Sequence, residues 1–439
     1  MTDALERATI RKVTARLLPV LFILYIAAFL DRTNVGLAAL QMNAAVGMST
    51  AAYGFGAGVF FIGYGLFEVP SNLFLARVGA RRWIARIALT WGVIACSMMF
   101  VRGATSFYVL RFLLGAAEAG AFPGIVYYLG EWFPERQRAR ALSKFMISVP
   151  LASAIGGPLG GALLTLNGQF GLAGWQWLFL VEGIPSIVLG VIVLMVLVDR
   201  PSEASWLTNE ERAWLTTRLA EERDKRDRTA ETSVTRALAS GIVWWLALLY
   251  FLAIAAELGP IFFGPVLLAD ALHVDSLTVG YIMGSTGIAG VVGMLLNGAH
   301  SDRGNERIVH TAGPLFVTAI GFAVTARATN APTLIIGLSL ISFAMSAFLP
   351  VFWCVPAALL SGPAAAGGIA LINSIGNLGG FVAPNIVGYG KTISGNYSGA
   401  MWILCGFAVL AGFMTLALRA TSTIEGWRGE EADRSLRSN

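Results

Sequence analysis

The sequence predicts an all-α membrane protein of twelve transmembrane helices in two sets of six. Three observations lead there. The 439-residue chain is 56% hydrophobic and 13% charged, with a mean hydropathy of +0.69, too apolar for a soluble domain of this size. Apolar runs of about twenty residues, each able to cross roughly 30 Å of hydrocarbon as a helix, recur along its length, whereas the alternating ten-residue strands of a barrel do not. One long polar interior segment, 199–239, parts these runs six and six.

The runs fall near 15–38, 52–76, 82–101, 106–131, 141–166, 175–198, 240–268, 277–300, 308–328, 332–359, 364–390 and 397–419, here called spans 1 to 12. The cationic N-terminus (Arg7, Arg11, Lys12, Arg16) is reminiscent of a signal peptide, but the run after it is too long and lacks a small-residue cleavage site, so it stays as span 1. The expected organisation is a six-helix bundle over 1–198, a cytoplasmic linker over 199–239, a second bundle over 240–420 and a cytoplasmic tail over 421–439. Within the linker, Thr208 and Glu211 have the spacing of a capping box and precede an amphipathic stretch, which predicts a short surface helix.

A net charge of +5 does not point to nucleic acid. Of the 31 Lys and Arg residues, nearly all lie in segments that share a side with the N-terminus, and only Arg102, Arg327 and Lys391 fall in loops on the other. That asymmetry is the positive-inside pattern, and it places both termini in the cytoplasm. Cys96, Cys354 and Cys405 lie within spans at no metal-ligand spacing and read as packing residues. The three histidines, His273, His300 and His310, are scattered, and no hydrolytic or metal constellation suggests an enzyme.

The chemistry lies in charges inside the spans. An ionisable side chain near the bilayer centre costs about 3 kcal/mol on insertion scales, so it faces a water-filled path or a partner. Asp31 and Arg32 stand side by side in "ILYIAAFLDRTNVGLAAL"; Arg111 and Glu118 lie in span 4, Glu68 in span 2 and Glu257 in span 7. With the run ends above, Arg32 and Arg111 sit at one depth, roughly 8–9 Å below the outer surface. Two fixed guanidinium groups suit an anion and can grip a carboxylate with parallel hydrogen bonds. Glu118, two turns beyond Arg111 on one face, is placed to exchange a proton. The alternative is a buried ion pair of Asp31 or Glu118 with Arg111 that only locks the bundle. Glu68 reads as a gate or packing residue, and Glu257 has no evident partner.

In the second half, Asn373 and Asn377 are four apart on one face of span 11, where amides can contact a substrate or join helices. The glycine-rich "GGPLGG" (156–161) and "GNLGG" (376–380) follow no strand and lack a lysine, so close helix packing explains them better than phosphate binding. The short cationic loops after spans 2 and 8 share a spacing, Arg77 to Arg81 and Arg303 to Arg307, which suggests parallel repeats.

Five stretches carry a resemblance: "FLDRTNVGLAALQMN", "GARRWIAR", "RFLLGAAEAGAFPGIVYYLGEWFP", "HSDRGNER" and "LSGPAAAGGIALINSIGNLGGFVAP". Together they resemble the anion:cation symporter family of the major facilitator superfamily, which includes bacterial permeases for tartrate, sugar acids and aromatic acids. The resemblance implies the major facilitator fold, two six-helix bundles in the bacterial inner membrane, and uptake by alternating access. It implies that Arg32 and Arg111 bind an organic anion, that Asp31 and Glu118 are proton sites, and that Tyr64, Asn377 and Asn373 contact substrate. Asp302 and Arg303 match the superfamily's loop motif, whereas the first-half loop has Ala76 in place of the usual aspartate. Span 5 lacks the glutamine of galactonate-type permeases, and Glu257 and Pro260 replace an aromatic-rich pattern in span 7.

The expectation is a monomeric, proton-coupled importer of a small organic carboxylate such as tartrate, a sugar acid or an aromatic acid, without a cofactor and with the proton as coupling ion. Phe262, Phe263, Phe352 and Trp353 either line an aromatic pocket or pack in the bilayer. An anion exchanger uses the same arginines. A transporter-like anion sensor has less support, because only about twenty polar residues follow Arg419.

Overall fold

The computed structural model of the chain describes residues 2–228, 240–304, 306–359 and 362–420. These form helices joined by short turns, and twelve helical stretches among them are long and apolar enough to cross a membrane. In chain order the spans are Ala4–Ala45, Thr50–Leu75, Ala80–Phe100, Ala104–Trp132, Arg140–Leu164, Gly174–Val196, Gly241–Leu272, Ser276–Gly304, Ile308–Ala326, Ala331–Pro356, Gly368–Ser394 and Ser398–Ala417. Residues 229–239 of the expected linker and the expected tail, 421–439, lie outside the described residues.

Span 1 runs seven residues beyond its apolar run. Hydropathy drops at Gln41 and Asn43, but the Gln41 side-chain amide donates to the Leu164 carbonyl at 3.0 Å, so a polar residue continues the helix to Ala45. Its backbone stays helical through Asn34 (φ −57°, ψ −26°). Span 4 is broken. One helix ends at Glu118 and the next starts at Ala121. Between them Gly120 has φ +85°, and a Cβ there would meet Ser71 Oγ at 2.4 Å, so only glycine turns the chain at this point.

The linker helix forms as the capping box predicts. Asn209–Arg228 is helical, Glu211 N donates to Thr208 Oγ1 at 3.2 Å and Thr208 N donates to Glu211 Oε2 at 2.9 Å. The same Glu211 carboxylate pairs with Lys12 of span 1 at 2.8 Å, which ties the linker to the first helix. Burial alone pushes this carboxyl up, but the hydrogen bonds from Lys12 and Thr208 outweigh it and hold Glu211 below the usual carboxylate range.

Two compact units emerge, each with its own core. The first contains Met1–Ala230, Ile261–Ile288 and Pro384–Asn396; the second contains Glu231–Pro260, Ala289–Ala383 and Tyr397–Asn439. In the first, Gly157 of span 5 and Gly280 of span 8 meet backbone to backbone, a Cβ on either falling 2.4–2.5 Å from the other's carbonyl oxygen. The "GGPLGG" stretch is therefore a packing surface. In the second, Gly379 packs on the backbone of span 7, a Cβ there falling 2.4 Å from the Phe251 carbonyl oxygen, and Gly376 packs against the Tyr250 ring.

The cationic loops differ in detail. Where Ala76 replaces the aspartate, Asp199 at the end of span 6 supplies the carboxylate, accepting from the Arg81 backbone N–H at 2.8 Å, while Arg81 Nε donates to Leu194 O at 2.8 Å. In the second unit Arg307 bonds Asp302 at 2.7 Å and Ser301 at 2.8 Å, and Arg303 is exposed. Two of the three histidines, distant in sequence, come together there. His300 and His310 face each other at 2.6 Å across two helices, and His310 bonds Glu306 at 3.0 Å.

Candidate functional site

Spans 2 and 4 build the site by packing closely. A Cβ on Gly115 would lie 2.0 Å from the Phe60 carbonyl oxygen, and one on Gly63 would lie 2.3 Å from that of Phe112. Such contact is open only to glycine, and it sets Phe60 against Arg111 four residues before Gly115. The Arg111 guanidinium is fully buried, lies 4.8 Å over the Phe60 ring and 5.8 Å over Phe262, and donates to the Ala57 carbonyl at 3.2 Å. Its Nε has no partner among the described residues.

Arg32 reaches the same ring from span 1. Its guanidinium lies 5.4 Å from the Phe60 centroid and 5.2 Å from that of Tyr64. It is the arginine that pairs with a carboxylate. Both Nε, at 3.1 Å, and Nη2 donate to Glu118 Oε1 in a close ion pair, and Glu118 Oε2 is left without a partner among the described residues. Helix ends alone do not align the two arginines, since Arg32 stands thirteen residues from Ala45, about 20 Å of helix, and Arg111 seven from Ala104. The two guanidinium groups still converge on Phe60.

Asp31 faces elsewhere. Consecutive helical residues diverge by about 100°, and Asp31 points into the bundle between spans 1, 3 and 6. Its Oδ2 accepts from Trp91 Nε1 at 2.9 Å and from Ser186 Oγ at 2.6 Å; no arginine pairs with it among the described residues. Acid and base, adjacent in sequence, thus belong to two different polar environments. Glu68, one turn beyond Tyr64 on span 2, is buried and partnered.

The sequence pattern of the Major Facilitator Superfamily matches residues 21–384, most of the chain. The chain belongs to the Major Facilitator Superfamily. A protein of Agrobacterium vitis named "Putative tartrate transporter" is 47% identical over 422 residues, 96% of this chain and 94% of its own. The "Quinolone resistance transporter" of Acinetobacter baumannii is 40% identical over 402 residues, 91% and 92% of the two chains. "Inner membrane transport protein RhmT" of Escherichia coli is 35% identical over 426 residues, 97% and 98%. Among solved structures, a bacterial homologue of the human lysosomal transporter Spinster superposes with a TM-score of 0.74 at 18% identity, covering 93% of this chain and 97% of its own. The xylose transporter XylE of E. coli does so at 0.73 and 15%, covering 92% and 98%. At those identities the likeness is one of fold, and the fold is that of the major facilitators. The protein is a multi-pass membrane transport protein, not an enzyme.

In this superfamily member the asparagines, Glu257, Phe352 and Trp353 lie in the second unit. Asn373 and Asn377 end the helix Gly362–Asn377, both are half-buried, and Asn373 is partnered, as is half-buried Glu257. Phe352 stacks on Tyr250 at 4.9 Å, nearly parallel, and Trp353 meets the same ring edge-on within that unit. Phe262 and Phe263 belong to the first unit: Phe262 is the ring beside Arg111, and Tyr53 donates its hydroxyl proton to the Phe262 carbonyl at 2.8 Å. Four contributors were missed in the sequence: Phe60, Trp91, Ser186 and Glu182. The first three carry no signal within an apolar run. Glu182, in "FLVEGIPSIV", meets the intramembrane-charge criterion outright.

Proposed function

We propose that this chain imports a small organic carboxylate together with a proton by alternating access. One observation carries the reading: Arg32 is neutralised by Glu118, beside a second arginine, Arg111, that has an aromatic shelf but no carboxylate partner among the described residues. A substrate carboxylate and Glu118 compete for Arg32. Protonation of Glu118 dissolves the ion pair and frees Arg32 to donate two parallel hydrogen bonds to the anion, with Arg111 as the second cation. Loss of that proton re-forms the pair and expels the anion. The site then carries the same net charge empty as it does with one proton and one carboxylate, so neither state crosses the membrane with an extra desolvated charge.

Asp31 is the second proton site in this reading, and Tyr64, Asn373 and Asn377 contact the substrate. The positive-inside distribution supports both termini lying in the cytoplasm of a bacterial inner membrane, and the working unit in this reading is a monomer. The tartrate name of the Agrobacterium relative supports a hydroxy-dicarboxylate, while the quinolone name of a relative 40% identical points to a different cargo on a similar chain.

The test is a pH-indicator assay on liposomes holding the purified protein, with tartrate, sugar acids and aromatic acids added one at a time under an imposed proton gradient. Substrate-dependent alkalinisation outside the vesicles supports symport and names the substrate class. Uptake that needs preloaded anion and moves no proton makes the protein an exchanger.

A further inference from the structure

Glu182 of span 6 is 4% exposed, and neither of its carboxylate oxygens has a hydrogen-bond partner among the described residues. Its surroundings follow from two antiparallel helices. Ser186, one turn from Glu182 on the same face, donates to Asp31 Oδ2. One turn along span 1 in the same spatial direction comes Asn34, also 4% exposed, with both side-chain polar atoms unpartnered. Glu182 therefore stands level with Asn34 and one turn from Asp31, whose Oδ1 is unpartnered too.

We propose that Asp31 and Glu182 form a two-carboxyl site that holds a shared proton, with Glu182 as a proton carrier alongside Asp31 in coupled transport. The proposal rests on the proton-coupling reading above for its role, but the shared proton itself does not. Two buried carboxylates with no cation between them cannot both be ionised, because each desolvated charge would raise the cost of the other. The cation nearest in sequence, Arg32, is committed to Glu118. Other elements packed on span 6 give no countercharge to Glu182. Spans 1 and 5 present Asp31 and a glycine face, span 3 presents Cys96 against Gly183, and its arginines, Arg81, Arg82 and Arg86, lie at its far end; Glu118 is the remaining charged group near Asp31. Asp31 accepts from Trp91 and Ser186, whereas Glu182 has the Asn34 side chain beside it and no bond of comparable geometry, so the ionised form is held better at Asp31 and the shared proton rests mainly on Glu182.

Infrared difference spectra of the purified protein in lipid, taken between acid and alkaline pH, test this directly. The parent should show a protonated-carboxyl band lost on alkalinisation, Glu182→Gln should lack that component, and Glu182→Asp should keep it at a shifted position, since the shorter chain draws the carboxyl away from Asp31. A Glu182→Gln spectrum identical to the parent's overturns the proposal. Should Glu182→Gln fail to fold, an unshifted band in Glu182→Asp does the same. In liposomes the pH midpoint of substrate-driven uptake should move by about one unit in Glu182→Gln, a tenfold change in proton concentration. A lower melting temperature with an unmoved midpoint marks a structural residue and overturns the coupling role. If the parent moves no proton with any substrate while the infrared band behaves as expected, the symport reading fails and the shared proton stands.

Discussion

Arg32 spends two of its donors on a single oxygen of Glu118, and the other oxygen of that buried carboxylate is left open. On the proposed reading the pair opens when substrate arrives, and the open oxygen is consistent with that, since an unmet buried acceptor costs about 1–3 kcal/mol that a purely structural pair gains by satisfying it.

Replacing Glu118 by Gln removes the competitor for Arg32 and the proton acceptor together. Glu118→Gln should bind the substrate anion at least as tightly as the parent, with affinity that no longer falls as pH rises, yet fail to accumulate it against a gradient. Titration calorimetry across a pH series and liposome uptake read the two halves. Binding that still weakens with rising pH as in the parent would sink the competition.

On the proposed reading the arginines carry the anion itself. A hydrogen bond to a charged group contributes about 1.5–3 kcal/mol, so Arg32→Ala or Arg111→Ala should weaken anion binding by roughly tenfold to more than a hundredfold. Phe60→Leu, which keeps an apolar side chain but removes the ring facing both guanidinium groups, should cost about 0.5–2 kcal/mol of binding. Equal affinity in the arginine variants and the parent refutes the anion site.

How much of this was legible beforehand depends on range. Thr208 and Glu211 could be read because the capping box is local, and the Asp31, Arg32, Arg111 and Glu118 charges stand out against apolar neighbours. Which acid meets which base could not. Arg32 and Glu118 are 86 residues apart, and Asp31 finds donors 60 and 155 residues away, so their pairing is decided by helix packing. Phe60 looks like any lipid-facing aromatic until Gly115 brings span 4 against it. Glu182 was readable by the same criterion as Glu118, but attention to acids near an arginine passes over a span that has none.

The glycine contact between spans 2 and 4 has its own test. A methyl group on Gly115 would press on the Phe60 carbonyl, which is backbone and cannot rotate aside. Gly115→Ala should cost about 1–3 kcal/mol of stability and, by moving Phe60 off Arg111, weaken anion binding as well. Gly406→Ala, in a helix where a Cβ meets nothing within 4 Å, is the matched control and should raise stability by about 0.4–1 kcal/mol. Thermal melting with and without substrate separates them, and a neutral Gly115→Ala would mean the spans do not pack this tightly.

The linker contact gives a pH-dependent prediction with a definite sign. The Glu211 carboxyl is held below its usual 4.5 in the folded protein, so the unfolded chain binds its proton first as pH falls. The stabilisation is therefore complete above about 4.5 and is lost as pH drops through the depressed folded value. Lys12 is partly exposed, which limits the ion pair to about 0.5–1 kcal/mol. Glu211→Gln keeps an acceptor for Thr208 but loses the charge. Its melting temperature should fall below the parent's at pH 7, and the gap should close as pH is lowered beneath 4.5. At pH 7, trypsin should also cut the helix Asn209–Arg228 faster in the variant, because the linker is no longer tied to span 1. A gap in melting temperature that stays constant from pH 7 to pH 4 would assign the loss to packing rather than to the Lys12–Glu211 charge pair.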